Sequence, residues 1–219
     1  MKQLVIFDLD GTLVNTIDDL GMATNYALEH FGYPTHPLEV YPSMVGNGVK
    51  KLIERALPSG TESEETVEKL RTVFREYYDT RCAVNTKPYP GIMPLLNTLQ
   101  GMGVKLAVAS NKYQAAVEYL VKHYFPEINW VAIEGQKDCV PVKPDPSIVF
   151  EILSASPTPK QDVLYVGDSG VDIETARRAC VQSVGVTWGF RPLTELKAHY
   201  ADYIVNTPDS ILEIISASV

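Results

Sequence analysis

The apolar run Leu4-Val5-Ile6-Phe7 stops at two carboxylates, Asp8 and Asp10, and this junction limits the fold more than any other stretch of the chain. Four consecutive apolar residues read as a strand buried on both faces, the habit of parallel sheets covered by helices. Asp is depleted in strands and is rarely buried without a partner. In open α/β sheets, ligands bind beyond the carboxyl ends of the strands, so Asp8 and Asp10 stand at an expected site mouth. Residues i and i+2 of an extended segment point the same way, which lets both carboxylates face one ligand. Two like charges that close invite a cation, and hard oxygen ligands favour Mg2+. Taken alone, the stretch fits a turn equally well: Asp10-Gly11 has turn composition, and Asp8 can cap it.

The remaining strand ends resolve that choice. Val163-Leu164-Tyr165-Val166-Gly167 ends in Asp168 and continues Ser169-Gly170-Val171-Asp172. A strand over 105–109 ends in Ser110-Asn111. Between them Val142-Lys143-Pro144-Asp145-Pro146 puts a lysine on a stiff loop before a helix. Asp, Ser/Asn, Lys and Asp at successive element ends make up a phosphoryl-transfer kit. A carboxylate attacks phosphorus, small donors and a lysine hold the oxygens, and an acid pair holds a metal.

In this order, the chain resembles the haloacid dehalogenase-like phosphohydrolases, whose four motifs match Asp8-x-Asp10-Gly11-Thr12, Ser110, Lys143 and Gly167-Asp168-x-x-x-Asp172. Val45-Gly46-Asn47-Gly48, the following stretch 52–58 and the stretch 183–190 resemble the phosphoglycolate phosphatases within that family. Ala179-Cys180 departs from the usual Ala-Gly there and bears on local turn geometry.

The segment from Asn15 to about Lys87 interrupts the strand pattern. Leu20, Ala23, Ala27 and Phe31 mark one helix, Val49, Leu52, Ile53 and Ala56 a second, and Val67, Leu70, Phe74 and Tyr77 a third. After Pro88-Tyr89-Pro90-Gly91 the chain alternates helices at 92–102, 113–124, 147–155 and 171–180 with strands at 105–109, 130–134, 163–167 and 183–186. Such alternation requires a mostly parallel sheet covered on both faces. The expected fold is therefore α/β, a Rossmann-like parallel core formed by residues 1–14 and 88–219. Residues 15–87 form an inserted helical cap that excludes water and supplies substrate contacts.

Composition narrows the partners. Across 219 residues the net charge is −8 and the isoelectric point is about 5.0, which argues against nucleic acid or an acidic membrane. An anionic substrate then needs a locally positive site, through a metal, Lys143 and backbone N–H groups. Cys82, Cys139 and Cys180 are scattered, with no C-x-x-C, which fits a reducing cytoplasm and neither a zinc site nor a disulfide framework. The N-terminal apolar run is too short for a signal peptide, and no stretch approaches a membrane span. The expected partner is a small phosphorylated metabolite, with the chain a monomer or homodimer.

The resemblance implies roles for each residue. Asp8 is the nucleophile and Asp10 the acid–base residue. Mg2+ is held by Asp8, the backbone carbonyl of Asp10 and Asp168, with Asp172 in its outer shell or paired to Lys143. Asp172 also suits the first turn of its helix. Ser110, Asn111 through its backbone N–H, the backbone at Leu9, and Lys143 bind phosphate where the helix from 113 begins, with Ser110 open to a second reading as that helix's N-cap. Thr12 fits either the phosphate or a turn. On the cap, Gly46, Asn47 and Gly48 suit a close ligand or a plain loop; Lys50, Lys51 and Arg55 are candidates for a substrate carboxylate, with a solvated helix face the better reading for at least two of them. The chemistry expected is Mg2+-dependent hydrolysis of a phosphomonoester, phosphoglycolate first. A sugar-phosphate mutase, a pyrophosphatase and a broad-range phosphatase are the rivals within the class. A non-catalytic receiver-like phosphoacceptor is the rival outside it, opposed by Asp10 and by the large cap.

Overall fold

A computed structural model describes residues 2–217. The first strand, β1 (Leu4–Phe7), lies at the centre of a six-stranded sheet. A two-residue strand β2 (Val14–Asn15) follows, then the helices α1 (Ile17–His30), α2 (Gly48–Ala56) and α3 (Glu64–Tyr78), with a 3-10 turn at Leu38–Ser43. Strand β3 (Lys87–Pro88) returns antiparallel to β2, pairing Val14 with Pro88 and Asn15 with Lys87. The chain then alternates α4 (Ile92–Gly101), β4 (Lys105–Tyr113), α5 (Gln114–Tyr124), β5 (Trp130–Gln136), α6 (Ser147–Ala155), β6 (Val163–Gly167), α7 (Gly170–Ala179), β7 (Gln182–Val186), α8 (Leu193–Ala198), β8 (Tyr203–Val205) and α9 (Asp209–Ala217). Among the described residues, no helix is long and apolar enough to cross a membrane.

The sheet order is β5-β4-β1-β6-β7-β8, and every pairing in it is parallel. Phe7 is level with Val108 on one side and Val166 on the other, so the next residues, Asp8, Ala109 and Gly167, lie level with one another. The sheet's alternation divides the core. Val5 and Phe7 face one cluster, which is continuous with the buried faces of α1, α2 and α3; Leu4 and Ile6 face a second under α6 and α7. The helices between β2 and β3 therefore pack onto the same hydrophobic body as the sheet.

Three local expectations change. Phe31 is 39% exposed, so the inward stripe of α1 ends at Ala27 and Leu28. The buried partner of Phe74 is Tyr78, four residues on, whereas Tyr77 sits at the rim and stacks on Tyr26 with centroids 4.4 Å apart. Strand β4 does not stop at Ala109. Its register with β5 shifts after Ala109 and resumes at Tyr113 opposite Gln136, so helix α5 starts only at Gln114. Cys180 closes α7 in the left-handed region (φ 59°), where glycine has no steric penalty.

Candidate active site

The register places the ends of β1, β4 and β6, with the loop that carries Lys143, around one pocket lined by Asp8, Asp10, Ser110, Lys143, Asp168 and Asp172. Lys143 organises it. Its buried ammonium donates to Asp8 Oδ1 (2.8 Å), Asp172 Oδ1 (2.7 Å) and the Ala109 carbonyl (2.9 Å), which uses all three of its protons. Asp172 turns its other oxygen to Ser169, accepting the backbone N–H at 3.1 Å and the hydroxyl at 2.6 Å. It thereby closes the capping box at the start of α7 and pairs with Lys143 at once. Asp168 accepts the Phe190 N–H at 2.6 Å. The space beside it is backbone-tight: a Cβ on Gly189 would fall 2.3 Å from Asp168 Cβ, and Gly11, at φ 88°, packs from the other side.

Three carboxylates, Asp8, Asp168 and Asp172, bring oxygens within 4.8 Å of one another, all buried. One lysine opposes them. Burial pushes the Asp8 carboxyl up to about 7, against the pull of Lys143. Asp168 is also raised well above the usual carboxylate range, by burial first and then by the charges of Asp172 and Asp8. Burial works to lower Lys143, but Asp172 and Asp8 outweigh it and hold the ammonium protonated. The cluster is short of positive charge, and its hard oxygen donors suit Mg2+.

Asp10 lies apart from this network. Its Oδ1 accepts from Thr16 Oγ1 at 2.7 Å and from Lys112 Nζ at 3.0 Å. Two carboxylates two residues apart thus rest on different cations.

The bulge in β4 explains how one strand supplies several site groups. An irregular extension re-aims side chains that a regular strand would alternate. Ser110 Oγ accepts the Lys112 N–H at 3.2 Å and lines the pocket, but it is not the N-cap of α5, which is Tyr113. The alternative reading of Ser110 as that helix's N-cap is therefore corrected by three residues, while the expected start at 113 moves by one. The Asn111 side chain, which sequence reasoning overlooked in favour of its backbone, is a junction. It donates to the carbonyls of Gly46 and Lys143, each at 3.1 Å, and accepts the Lys143 N–H at 2.8 Å. Leu9 is fully buried and its carbonyl accepts the amides of Thr12, Leu13 and Val14. Thr12 Oγ1 is buried without a partner.

The insert's candidates separate. Gly46 and Gly48 line the pocket in conformations, φ 114° and 80°, that glycine alone adopts freely. Asn47, Lys51 and Arg55 do not line it. Arg55 donates to the Met44 carbonyl (2.7 Å) and to Asn47 Oδ1 (2.8 Å), bracing the loop from behind. Lys51 pairs with Glu54 at the surface. The pocket's cations are instead Lys143, Lys112 and Arg191. Arg191 donates to the carbonyls of Pro42 (2.7 Å) and Val45 (2.6 Å), tying the loop after β7 to the insert. The available signals were modest: Lys112 is two residues beyond Ser110, and Arg191 directly follows the last core loop.

A family model described as haloacid dehalogenase-like hydrolase matches residues 5–186. A phosphoglycolate phosphatase of Mannheimia succiniciproducens is 31% identical over 97% of this chain and 98% of its own length. Phosphoglycolate phosphatase 1 of Pseudomonas aeruginosa is 35% identical over 89% of this chain and 74% of that protein. A crystal structure from Lactobacillus delbrueckii subsp. bulgaricus superposes with a TM-score of 0.91 at 34% identity, covering 98% of this chain and 99% of that one.

Proposed function

The chain belongs to the haloacid dehalogenase-like hydrolases and is a phosphatase, and from that premise we propose that it is a Mg2+-dependent phosphomonoesterase that works through an aspartyl-phosphate on Asp8 and takes phosphoglycolate as its substrate. The observation that carries the mechanism is the separation of Asp8, held by Lys143, from Asp10, held by Lys112. Neighbouring carboxylates kept in different environments are how one site runs two roles.

Asp8 attacks phosphorus with one carboxylate oxygen while the leaving oxygen takes a proton from Asp10. A phosphoenzyme and a free alcohol result. Asp10, now a carboxylate, takes a proton from water, and that water attacks the aspartyl-phosphate, releasing inorganic phosphate and restoring Asp8. Lys143 offsets charge on Asp8 and on the phosphoryl oxygens. Ser110, the Asn111 N–H and the backbone at Leu9 orient those oxygens. Asp8, the Asp10 carbonyl and Asp168 would hold Mg2+, with Asp172 outside them, and the buried cluster short of positive charge fits that ion. When bound, Mg2+ supplies charge neutralisation for the phosphoryl group. Residues 15–87 serve as the cap over a core of 1–14 and 88–219, and Gly46–Gly48 close on the substrate. The three free cysteines suit a cytoplasmic setting.

The test is phosphate release by protein stripped with chelator and resupplied with Mg2+, over a panel of phosphometabolites. Phosphoglycolate should lead in kcat/KM, Ca2+ should inhibit, and acid quench should trap one phosphoryl group per chain. Full activity in excess chelator defeats the metal assignment. Preference for a hexose phosphate or pyrophosphate defeats the substrate assignment.

A further inference from the structure

The pocket holds three cations, and two are committed. Lys143 has donated all three protons to Asp8, Asp172 and the Ala109 carbonyl. Arg191 keeps spare N–H groups, but both its terminal nitrogens are anchored on the insert's backbone, at the carbonyls of Pro42 and Val45. Lys112 differs. Its side chain is 3% exposed, and among the described residues its ammonium has one oxygen partner, Asp10 Oδ1, with the Tyr78 ring centroid 4.9 Å away. Donor capacity is therefore left over in a buried lysine that faces the site. The pocket wall opposite is apolar, with Leu20, Val45, Val49 and Leu52, so an anion there gains little from water and more from a cation.

Resting on the functional reading above, we propose that Lys112, on the core, reads a carboxylate carried by the leaving group, and so sets the preference for short phosphoryloxy acids. The spacing supports this. The leaving oxygen must lie within hydrogen-bond reach of Asp10, about 3 Å. Lys112 is itself 3.0 Å from Asp10, so its ammonium lies no more than about 6 Å from that oxygen. The carboxylate oxygens of a short phosphoryloxy acid, three bonds beyond the leaving oxygen, fall within that span. The insert contributes shape through its apolar wall and Gly46–Gly48, while the charge that recognises the acid comes from the bulge of β4. Lys51, paired with Glu54 outside the pocket, has no part in it.

The experiment compares kcat/KM for 2-phosphoglycolate and for its uncharged amide, with Mg2+ present, in wild type, Lys112→Met and Lys112→Arg. Loss of Asp10's neighbour will slow both substrates, so the ratio between them is the readout. Lys112→Met should cut the preference for the acid by about 10- to 100-fold, mainly through a higher KM for the acid. Lys112→Arg should keep most of the preference. If Lys112→Met slows acid and amide by one common factor, Lys112 serves Asp10 alone and the proposal is overturned. A wild type with no preference for the acid over the amide defeats the phosphoglycolate reading itself. A wild-type preference that survives in Lys112→Met defeats only the assignment to Lys112.

Discussion

Replacing Lys143 by Met separates the electrostatic account of this site from a packing account. Methionine keeps the length and the apolar stem, so the change removes little besides the charge and three donated protons. Those protons go to Asp8, Asp172 and the Ala109 carbonyl. Removing one partner of a buried ion pair leaves an uncompensated charge and costs about 3–5 kcal/mol. For a chain of this size that lowers Tm by roughly 6–20 °C. The loss must depend on pH. Burial already lifts Asp8 to about 7 from its unfolded value of 3.8. Between those values the folded state holds a proton that the unfolded chain has released, so stability falls as pH rises toward 7. Without Lys143, Asp8 is driven further up and accepts a proton at low pH in place of the lost ammonium charge. The Tm deficit should accordingly be large at pH 8 and less than half as large at pH 5.5. Circular dichroism melts of metal-free wild type and Lys143→Met at both pH values measure it. Adding Mg2+ at pH 8 should recover part of the deficit while kcat stays down by about 10²-fold or more. An equal deficit at both pH values, or none at pH 8, would refute the charge argument.

Other outcomes follow from the same geometry. Asp8→Asn, nearly isosteric, should abolish turnover and phosphoryl trapping while the chain still melts cooperatively; substantial residual activity in a pure sample would contradict a covalent route. Asp10→Ala should lower kcat by about 10²–10⁴-fold for an alkyl phosphate. It should lower the first step less for an aryl phosphate, whose leaving group needs no proton, as rapid-quench kinetics would measure. Cys180→Gly should raise stability by about 0.5–1 kcal/mol in urea unfolding, because the left-handed cap at φ 59° disfavours a Cβ.

What the sequence made legible were the groups whose position follows from a strand's end. Asp8 and Asp168 follow β1 and β6, adjacent parallel strands, and parallel register alone brings their carboxylates together. Lys143 lies on no strand and was placed by motif order, yet its three contacts needed coordinates. The side chains of Asn111 and Lys112 were missed for one reason. The apolar run stops at Ala109, and a register shift that keeps the next residues extended leaves no mark in composition. The insert's cations are a different case. With Val49, Leu52, Ile53 and Ala56 facing inward, Lys51 sits roughly opposite that stripe at about 100° per residue. Helical spacing already set it outward, on a solvated face.

The two-cation arrangement also accounts for why the insert must pack as it does. Thr16, which holds Asp10, belongs to the turn between β2 and α1, where the chain leaves the core. Asp19, one turn into α1, accepts the backbone N–H groups of Asn85 and Thr86, just before the chain returns along β3. The same two crossings that carry the insert thus fix Asp10 on one side of the pocket. Asn111 and Arg191 fasten the opposite side, through the carbonyls of Gly46, Pro42 and Val45. A displacement of the insert would therefore disturb Asp10 through Thr16 while leaving Asp8, bound to Lys143 within the core, in place. Asp8 is held by the core alone. Asp10 is shared between the sheet and the helices that cover it.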